Sequence, residues 1–394
     1  MMSHPTVFQK AKIQGAKPET AFLPVDKLTK LYVELTTICN LDCQMCVRHS
    51  WQEPLGAMPI TTFARLMDQL GDYSEPPIIH FGGYGEPMQH PQFLDCVELA
   101  KQIGAKVEVT TNGTLLDHSI SSALIDLDLD RLIVSVDSAI PTQYDNIRVG
   151  ASFKQVFENL RDLYRLRLRR IGRRGGMQVE LAFVVMKQNV DSLPLLPRLA
   201  TAVGAHRIIV SNVIPHTPSL EKEIMYEDAL RAPAYRASNH VPEISLPRLD
   251  LNEDTVESYS AVFGTRASVS LLNRSLSDQS GYCQFAQEGY AAVRWDGAVS
   301  PCLSLLHDHP EYLHGRRRQI TSVTLGNINQ QSLYEIWQSP LFVSLRRRLR
   351  SFQFSPCTTC GGCERFPENL TDCTENPAPT CGGCLWAQGL IQCP

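Results

Sequence analysis

An α/β fold built on a parallel sheet, followed by a cysteine-rich carboxyl-terminal region, is what this sequence of 394 residues predicts. Three observations carry that expectation. Between residues 30 and 213 short β-rich apolar runs alternate with longer segments of helical period. The runs are almost continuously apolar, as strands are when helices cover both faces of a parallel sheet. Nine of the 13 cysteines fall between Cys283 and Cys393, far from the other four.

In chain order, strands are expected at 31–36 (LYVELT), 77–81 (PIIHF), 106–111 (KVEVTT), 131–136 (RLIVSV), 178–185 (QVELAFVV) and 206–211 (HRIIVS). Helices are expected at about 60–70, 91–103, 117–126, 153–170 and 191–203. Six strands with helical crossovers make either a partial (β/α) barrel or a doubly wound sheet. In both, active sites gather at the carboxyl ends of the strands, and that is where the unusual residues fall. Cys39, Cys43 and Cys46 follow the first strand, GGYGEP (82–87) the second and TNG (111–113) the third, while Asp137 ends the fourth. Four segments follow: an amino-terminal extension (1–29), the barrel or sheet (30–213), a polar, proline-punctuated connection (214–282) and the cysteine-rich domain (283–394). The connection is long enough to be a substrate cover, with ISLPRLDL (244–251) as a strand or a loop over the mouth. Further on, Asp296-Gly297 between alternating apolar residues reads as a hairpin turn.

Composition narrows the function. A net charge of −4 argues against a nucleic-acid or membrane-surface role, and the basic runs at 165–174, 316–318 and 346–350 read as solvated faces. No run of about 18 apolar residues suggests a membrane span, and the first residues lack the apolar stretch of a signal peptide, so a cytoplasmic protein is expected. In that compartment thiols stay reduced, so 13 cysteines point to metal ligation rather than disulfides. Cys96, on the amphipathic stretch PQFLDCVELAKQIGA, is expected to be a buried structural thiol.

Three thiolates spaced Cys39-x3-Cys43-x2-Cys46 can hold a four-iron cube while leaving one iron open to a small molecule. A zinc site completed by His49 is the competing reading. The spacing after a first strand resembles the signature of the radical S-adenosylmethionine (SAM) enzymes. That resemblance implies a partial (β/α)6 TIM-type barrel, SAM chelated at the open iron and reductive cleavage to a 5'-deoxyadenosyl radical. It implies a SAM-binding set as well. Gly85 and Glu86 are similar to the family's glycine-rich GGEP turn, with Glu86 accepting the amino group and Tyr84 standing where glycine is common. Asn112 faces the same mouth, Ser135 and Asp137 resemble the ribose- and carboxylate-contacting strand end, and Arg148 corresponds to an arginine that pairs with the methionine carboxylate.

The carboxyl-terminal field resembles the family's auxiliary-cluster extension, SPASM. Cys283, then Gly297-x4-Cys302, then LGNINQQSLYEIWQSPLFVSLRRRL (325–349) as its helix, lead to Cys357, Cys360, Cys363, Cys373, Cys381, Cys384 and Cys393. Nine cysteines suit two auxiliary four-iron cubes with one thiol over, on a module that reaches the mouth by folding back; a zinc ribbon is the competing reading. The usual C-x2-C-x5-C-x3-C block is replaced here by C-x2-C-x2-C-x9-C and a separate CGGC. A narrower resemblance, carried by CVRHSW, FVVMKQN, VSNVIPHT and CGGCLWAQGLIQCP, is to the tungsten cofactor maturases, also called cofactor-modifying proteins. It implies radical modification of a peptide, protein or cofactor, in the maturation of a tungsten-dependent oxidoreductase, with ferredoxin or flavodoxin as reductant. A peptide-modifying maturase and a non-catalytic iron-sulfur electron carrier are the alternatives.

Overall fold

The computed structural model describes residues 27–71, 73–169, 176–227, 230, 252–263, 281–352, 354, 355, 357, 363–373, 375–377 and 379–393. The expected strand or loop at 244–251 and Cys360 lie outside them. Six parallel strands form the barrel: β1 (Lys30–Val33), β2 (Ile78–Phe81), β3 (Val107–Thr111), β4 (Arg131–Ser135), β5 (Gln178–Val185) and β6 (Arg207–Asn212). Their spatial order is β1-β2-β3-β4-β5-β6, the order of the sequence. A doubly wound sheet reverses its order at a switch point, so the partial barrel is the architecture present.

The crossovers are α1 (Ile60–Gly71), α2 (Phe93–Gln102), α3 (His118–Asp126), α4 (Pro141–Ile147), α5 (Phe153–Arg169) and α6 (Leu196–Val203). Each has a local cause. In α5, Val156, Leu160, Leu163 and Leu166 recur at helical spacing and are buried. Asp117 caps α3 by accepting from the Ile120 N–H at 2.8 Å, and Gly204, at φ 66°, ends α6 in the left-handed region. The expected segment 191–203 divides into a 3-10 turn, Val190–Leu195, and α6. Helix α4 was not expected; Pro141 at its first turn starts it. Alternate strand residues such as Leu31, Val33, Ile79, Phe81, Val107 and Val109 face the helices and form one core, in which Cys96 is fully buried. No described helix is long and apolar enough to cross a membrane.

The opposite alternation fills the lumen. At the amino ends of the strands, Lys30, Glu108, Arg131, Glu180 and Arg207 form a charged floor. Lys30 Nζ is 2.8 Å and Arg131 Nη1 3.1 Å from Glu108, and Arg131 Nε is 3.4 Å from Glu180. His80 Nδ1 adds a contact to Glu108 at 3.1 Å. Burial alone would raise the Glu108 pKa, but the bonds from His80 and the charge of Lys30 hold it well below the usual carboxylate range.

The cysteine-rich region is not a separate body. Its hairpin, β7 (Tyr290–Val293) and β8 (Ala298–Ser300), turns at Gly297 (φ 87°), as the sequence indicates, and β7 then pairs parallel with β1. With β11 (Gly326–Asn327) the barrel sheet becomes nine-stranded. At the other edge the tail meets β6: Asn212 Nδ2 donates to Leu390 O at 2.7 Å, and Gln392 N to Ser211 Oγ at 2.9 Å. A second hairpin, β9 (His309–Leu313) and β10 (Arg316–Ile320), stands apart from the sheet. The expected single helix within 325–349 is two, Leu333–Trp337 and Pro340–Ser351, because Ser339 caps a new helix with Pro340 at its first position. The basic runs are only partly solvated: Arg318 is 3% and Arg346 2% exposed, the latter over the Trp337 ring at 3.9 Å.

Glu108→Ala would leave Lys30 and Arg131 facing each other without their shared carboxylate. A loss of about 3–5 kcal/mol is expected, read by urea unfolding at neutral pH. Because the folded-state pKa is depressed, the contribution is present above the ordinary carboxylate range and lost as pH falls, so the difference between wild type and variant should shrink in acid.

Candidate active site

The loop carrying Cys39, Cys43 and Cys46 leaves β1 at the mouth, with all three thiols half-buried. Backbone bonds clamp it from two sides. Glu86 N donates to Ile38 O at 2.9 Å; opposite, Asp42 N donates to Val149 O at 2.9 Å and Gln44 N to Ile147 O at 3.0 Å. The clamp explains a glycine: a Cβ on Gly85 would stand 2.0 Å from Thr36 O and 2.8 Å from Ile38 O. Three N–H groups point at sulfur. Leu41 N is 3.4 Å and Asn112 Nδ2 3.8 Å from Cys39 Sγ, and Arg48 Nε is 3.3 Å from Cys46 Sγ. Burial pushes the Cys43 thiol up to about 11, against the opposing pull of Arg148. A bare thiolate is therefore disfavoured there, and ligation needs a cationic partner to displace the proton. His49 does not turn to the cysteines; its Nε2 lies 2.6 Å from Asp42 Oδ1.

Around this loop four of the six residues expected to receive SAM form two linked pairs. Glu86 is 2% exposed and accepts from Met88 N (3.2 Å), Thr111 Oγ1 (2.7 Å) and Asn112 N (2.7 Å), so it ties the GGYGEP turn to the TNG turn. Asn112 Nδ2 also reaches Asn40 Oδ1 at 3.0 Å. On the far side Arg148 Nη2 lies 2.6 Å from Asp137 Oδ2, while Asp137 Oδ1 accepts from Val184 N at 2.8 Å. Arg148 is 7% exposed and its Nε has no hydrogen-bond partner, a buried donor aimed beside the cysteine loop. Ser135 lines a mouth cavity of about 220 Å³ together with Met45, Tyr84, Trp386 and Cys393.

The later cysteines enclose two further cavities. One, of about 490 Å³, is lined by Cys283, Cys302, Cys381, Cys384 and Cys393; the other, of about 320 Å³, by Cys357, Cys363 and Cys373. Among the described residues no three or more His, Cys, Asp or Glu are arranged to hold a single metal ion. Burial pushes the Cys283 and Cys393 thiols up to about 12, and raises those of Cys302, Cys381, Cys384 and Cys357. Cys393 differs from its neighbours in also lining the mouth cavity, and its sulfur accepts from Trp386 Nε1 at 3.1 Å.

Comparison with known proteins decides the family. Residues 33–180 match the radical SAM superfamily, and residues 283–364 the SPASM iron-sulfur cluster-binding domain. The chain is 30% identical, over 92% of its length and 96% of the relative's, to the tungsten-containing aldehyde ferredoxin oxidoreductase cofactor-modifying protein of Pyrococcus furiosus. The chain belongs to the radical SAM superfamily. It is also 27% identical, over 89% of both chains, to a PqqA peptide cyclase of Gluconobacter oxydans. In fold it is similar to native anSMEcpe with bound AdoMet (TM-score 0.57, 17% identity, 91% of this chain and 95% of that one) and to Streptococcus suis SuiB bound to S-adenosylmethionine (TM-score 0.57, 16% identity, 84% and 70%). A radical SAM chain with relatives that are cyclases and modifying proteins is an enzyme.

Sequence reasoning missed how this radical SAM barrel is locked to its SPASM domain. His307, 1% exposed, places Nε2 2.8 Å from Glu34 Oε2 at the end of β1 and Nδ1 3.0 Å from Glu53 Oε2 beyond the cysteine loop. Trp51 stacks on its ring at 4.1 Å, and Tyr84 donates its hydroxyl to Leu303 O at 3.3 Å. Arg48 was missed as well; its donors to Thr37 O (3.2 Å), Leu41 O (2.9 Å) and Cys46 Sγ hold the loop from within. CVRHSW contains the signal for Arg48 and Trp51 but not for their partners.

Two outcomes follow from this geometry. Gly85→Ala should push the turn off the cysteine loop, lowering stability by about 1–3 kcal/mol and reducing iron retained after anaerobic gel filtration. Burial opposes the charged form of His307, but Glu34 and Glu53 raise its pKa. Its contribution is therefore complete below the unfolded histidine value of about 6.5 and is lost as pH rises through the higher folded value. Thermal stability should fall across that window in the wild type, and His307→Gln should flatten the dependence.

Proposed function

We propose that this protein is a radical SAM maturase in which Cys39, Cys43 and Cys46 hold the open-iron [4Fe-4S] cluster and Gly85, Glu86, Asn112, Ser135, Asp137 and Arg148 receive SAM. The observation that carries the reading is the three-thiol loop, clamped at the mouth between those two pairs of residues. When bound, cluster and SAM together supply the one-electron chemistry that opens a substrate to hydrogen-atom abstraction.

The chain's own residues do the holding. N–H donors from Leu41, Arg48 and Asn112 soften the charge on the sulfurs of Cys39 and Cys46. A carboxylate offers about four acceptor sites. Three internal bonds leave Glu86 one for an ammonium group. Asp137 holds one end of the Arg148 guanidinium, which presents its unpartnered Nε to a carboxylate. Tyr84, Trp386 and Cys393 then bound the space left for the substrate.

The described cysteines from Cys283 onward are assigned to two auxiliary cubes by the cavities they line, and Cys360 by its place in the C-x2-C-x2-C run. Cys283, Cys302, Cys381 and Cys384 serve one, Cys357, Cys363 and Cys373 with Cys360 the other, and Cys393 is the thiol over. The substrate is a peptide, protein or cofactor. Maturation of a tungsten-dependent oxidoreductase is the first choice, on the relative that matches almost end to end; the PqqA peptide cyclase similarity supports a peptide as the second. A ferredoxin or flavodoxin supplies electrons in the cytoplasm.

Anaerobically reconstituted protein should carry about 12 iron and 12 sulfide. Cys43→Ala should lose about a third of the iron and all release of 5'-deoxyadenosine from SAM and dithionite; unimpaired release would end the radical reading. Changing Cys381 and Cys384 together to Ala should also lose about a third of the iron yet keep that release, whereas Cys393→Ala should keep all of it.

A further inference from the structure

The two glycines between Cys381 and Cys384 and the buried arginine beside them are not used by the reading above. Arg318 projects from β10, directly across the ladder from Glu311 of β9, into the protein interior. It is 3% exposed and lines both the larger and the smaller cysteine cavity. Nη1 donates to Gly383 O at 2.9 Å, and Nε has no hydrogen-bond partner. Among the described residues no carboxylate forms an ion pair with it; Glu311 stands instead 3.8 Å from His309 Nε2.

A buried guanidinium without an anion is costly enough that proteins rarely keep one. Here two sets of sulfur ligands flank it. Cys357 lines the smaller cavity with it, and Cys381 and Cys384 line the larger. The glycines of CGGC fit the same arrangement. A Cβ on Gly383 would lie 2.1 Å from Arg318 Nη1, and one on Gly382 would lie 1.7 Å from Ser355 O, two residues before Cys357. One glycine admits the guanidinium; the other seats the loop against the segment that carries the second cysteine set.

We propose that Arg318 is the shared counter-charge of the two auxiliary sites, a positioning residue that raises the reduction potential of both clusters. The proposal rests on the auxiliary-cluster assignment above. The physical reason is simple: reduction adds negative charge to a cluster, and a fixed cation in a low-dielectric wall stabilises the reduced state more than the oxidised one. A single cation between two sites acts on both at once.

The test is an EPR-monitored redox titration of the reconstituted full-length protein, with iron counted on every sample. In Arg318→Met, with iron near wild type, both auxiliary midpoints should fall by at least about 59 mV, the one-electron equivalent of a tenfold change in the reduced-to-oxidised ratio. The SAM-site cluster should not move and serves as the internal control. Arg318→Lys, which keeps the charge, should restore most of the shift. Unchanged midpoints in the Met variant, or a shift in only one cluster, would overturn the proposal. If Arg318→Met loses auxiliary iron, the Lys variant decides: iron retained supports the charge, whereas equal loss shows that only the bond to Gly383 matters and overturns it. A wild type without auxiliary iron would instead defeat the cluster assignment itself.

Discussion

Backbone hydrogen bonds to a nine-residue stretch, Ile38 to Cys46, are the constraint on which the active mouth depends. A loop carrying three thiols has no core of its own, so its shape is borrowed from neighbours. The GGYGEP turn grips one end through Glu86 N, and the residues around Arg148 grip the middle through Ile147 and Val149. The grips lie in the same turns that present Glu86 and Arg148, so one set of contacts both shapes the loop and sets the distance from sulfur to those two side chains. Gly85 is the tightest point, because no side chain fits between the turn and Thr36 O.

The barrel and the cysteine-rich domain share more than a border. Strand β7 extends the barrel sheet at β1, the tail seals the edge at β6, and His307 sits between carboxylates from the barrel side. The mouth is therefore walled partly by the second domain, and Cys393 and Trp386 face it directly. The tail that carries Cys384 also lines the mouth cavity, so the mouth and the larger cysteine cavity share one wall.

Much of this was legible in the sequence. The six barrel strands appear where continuous apolar runs stand between helical segments, and the hairpin turns at Asp296-Gly297. Patterns of that kind are local, and burial on both faces writes them plainly. What the sequence hid was non-local or contrary to composition. Nothing in TYR-ALA-ALA-VAL at 290–293 says that it pairs with β1 rather than only with its own hairpin. Arg318 and Arg346 belong to basic runs, and runs of arginine ordinarily lie in water; here one lies beside sulfur cavities and the other over Trp337. Glu34 and His307 meet across 273 positions of chain, a contact that no spacing rule can propose. Among the expected site residues the sequence indicated which would stand at the mouth, but not that Glu86 would spend three bonds on its own scaffold or that Arg148 would be held by Asp137.

The tail has a consequence for the order of assembly. Ribosomes deliver the chain from its amino end, so the three-cysteine loop emerges well before the wall formed by Trp386, Ile391 and Cys393. Until then the lumen is open along β6. The barrel made before the tail therefore stands with its β6 side uncovered until the tail docks there. Docking of the tail is therefore part of completing the mouth rather than a step independent of it.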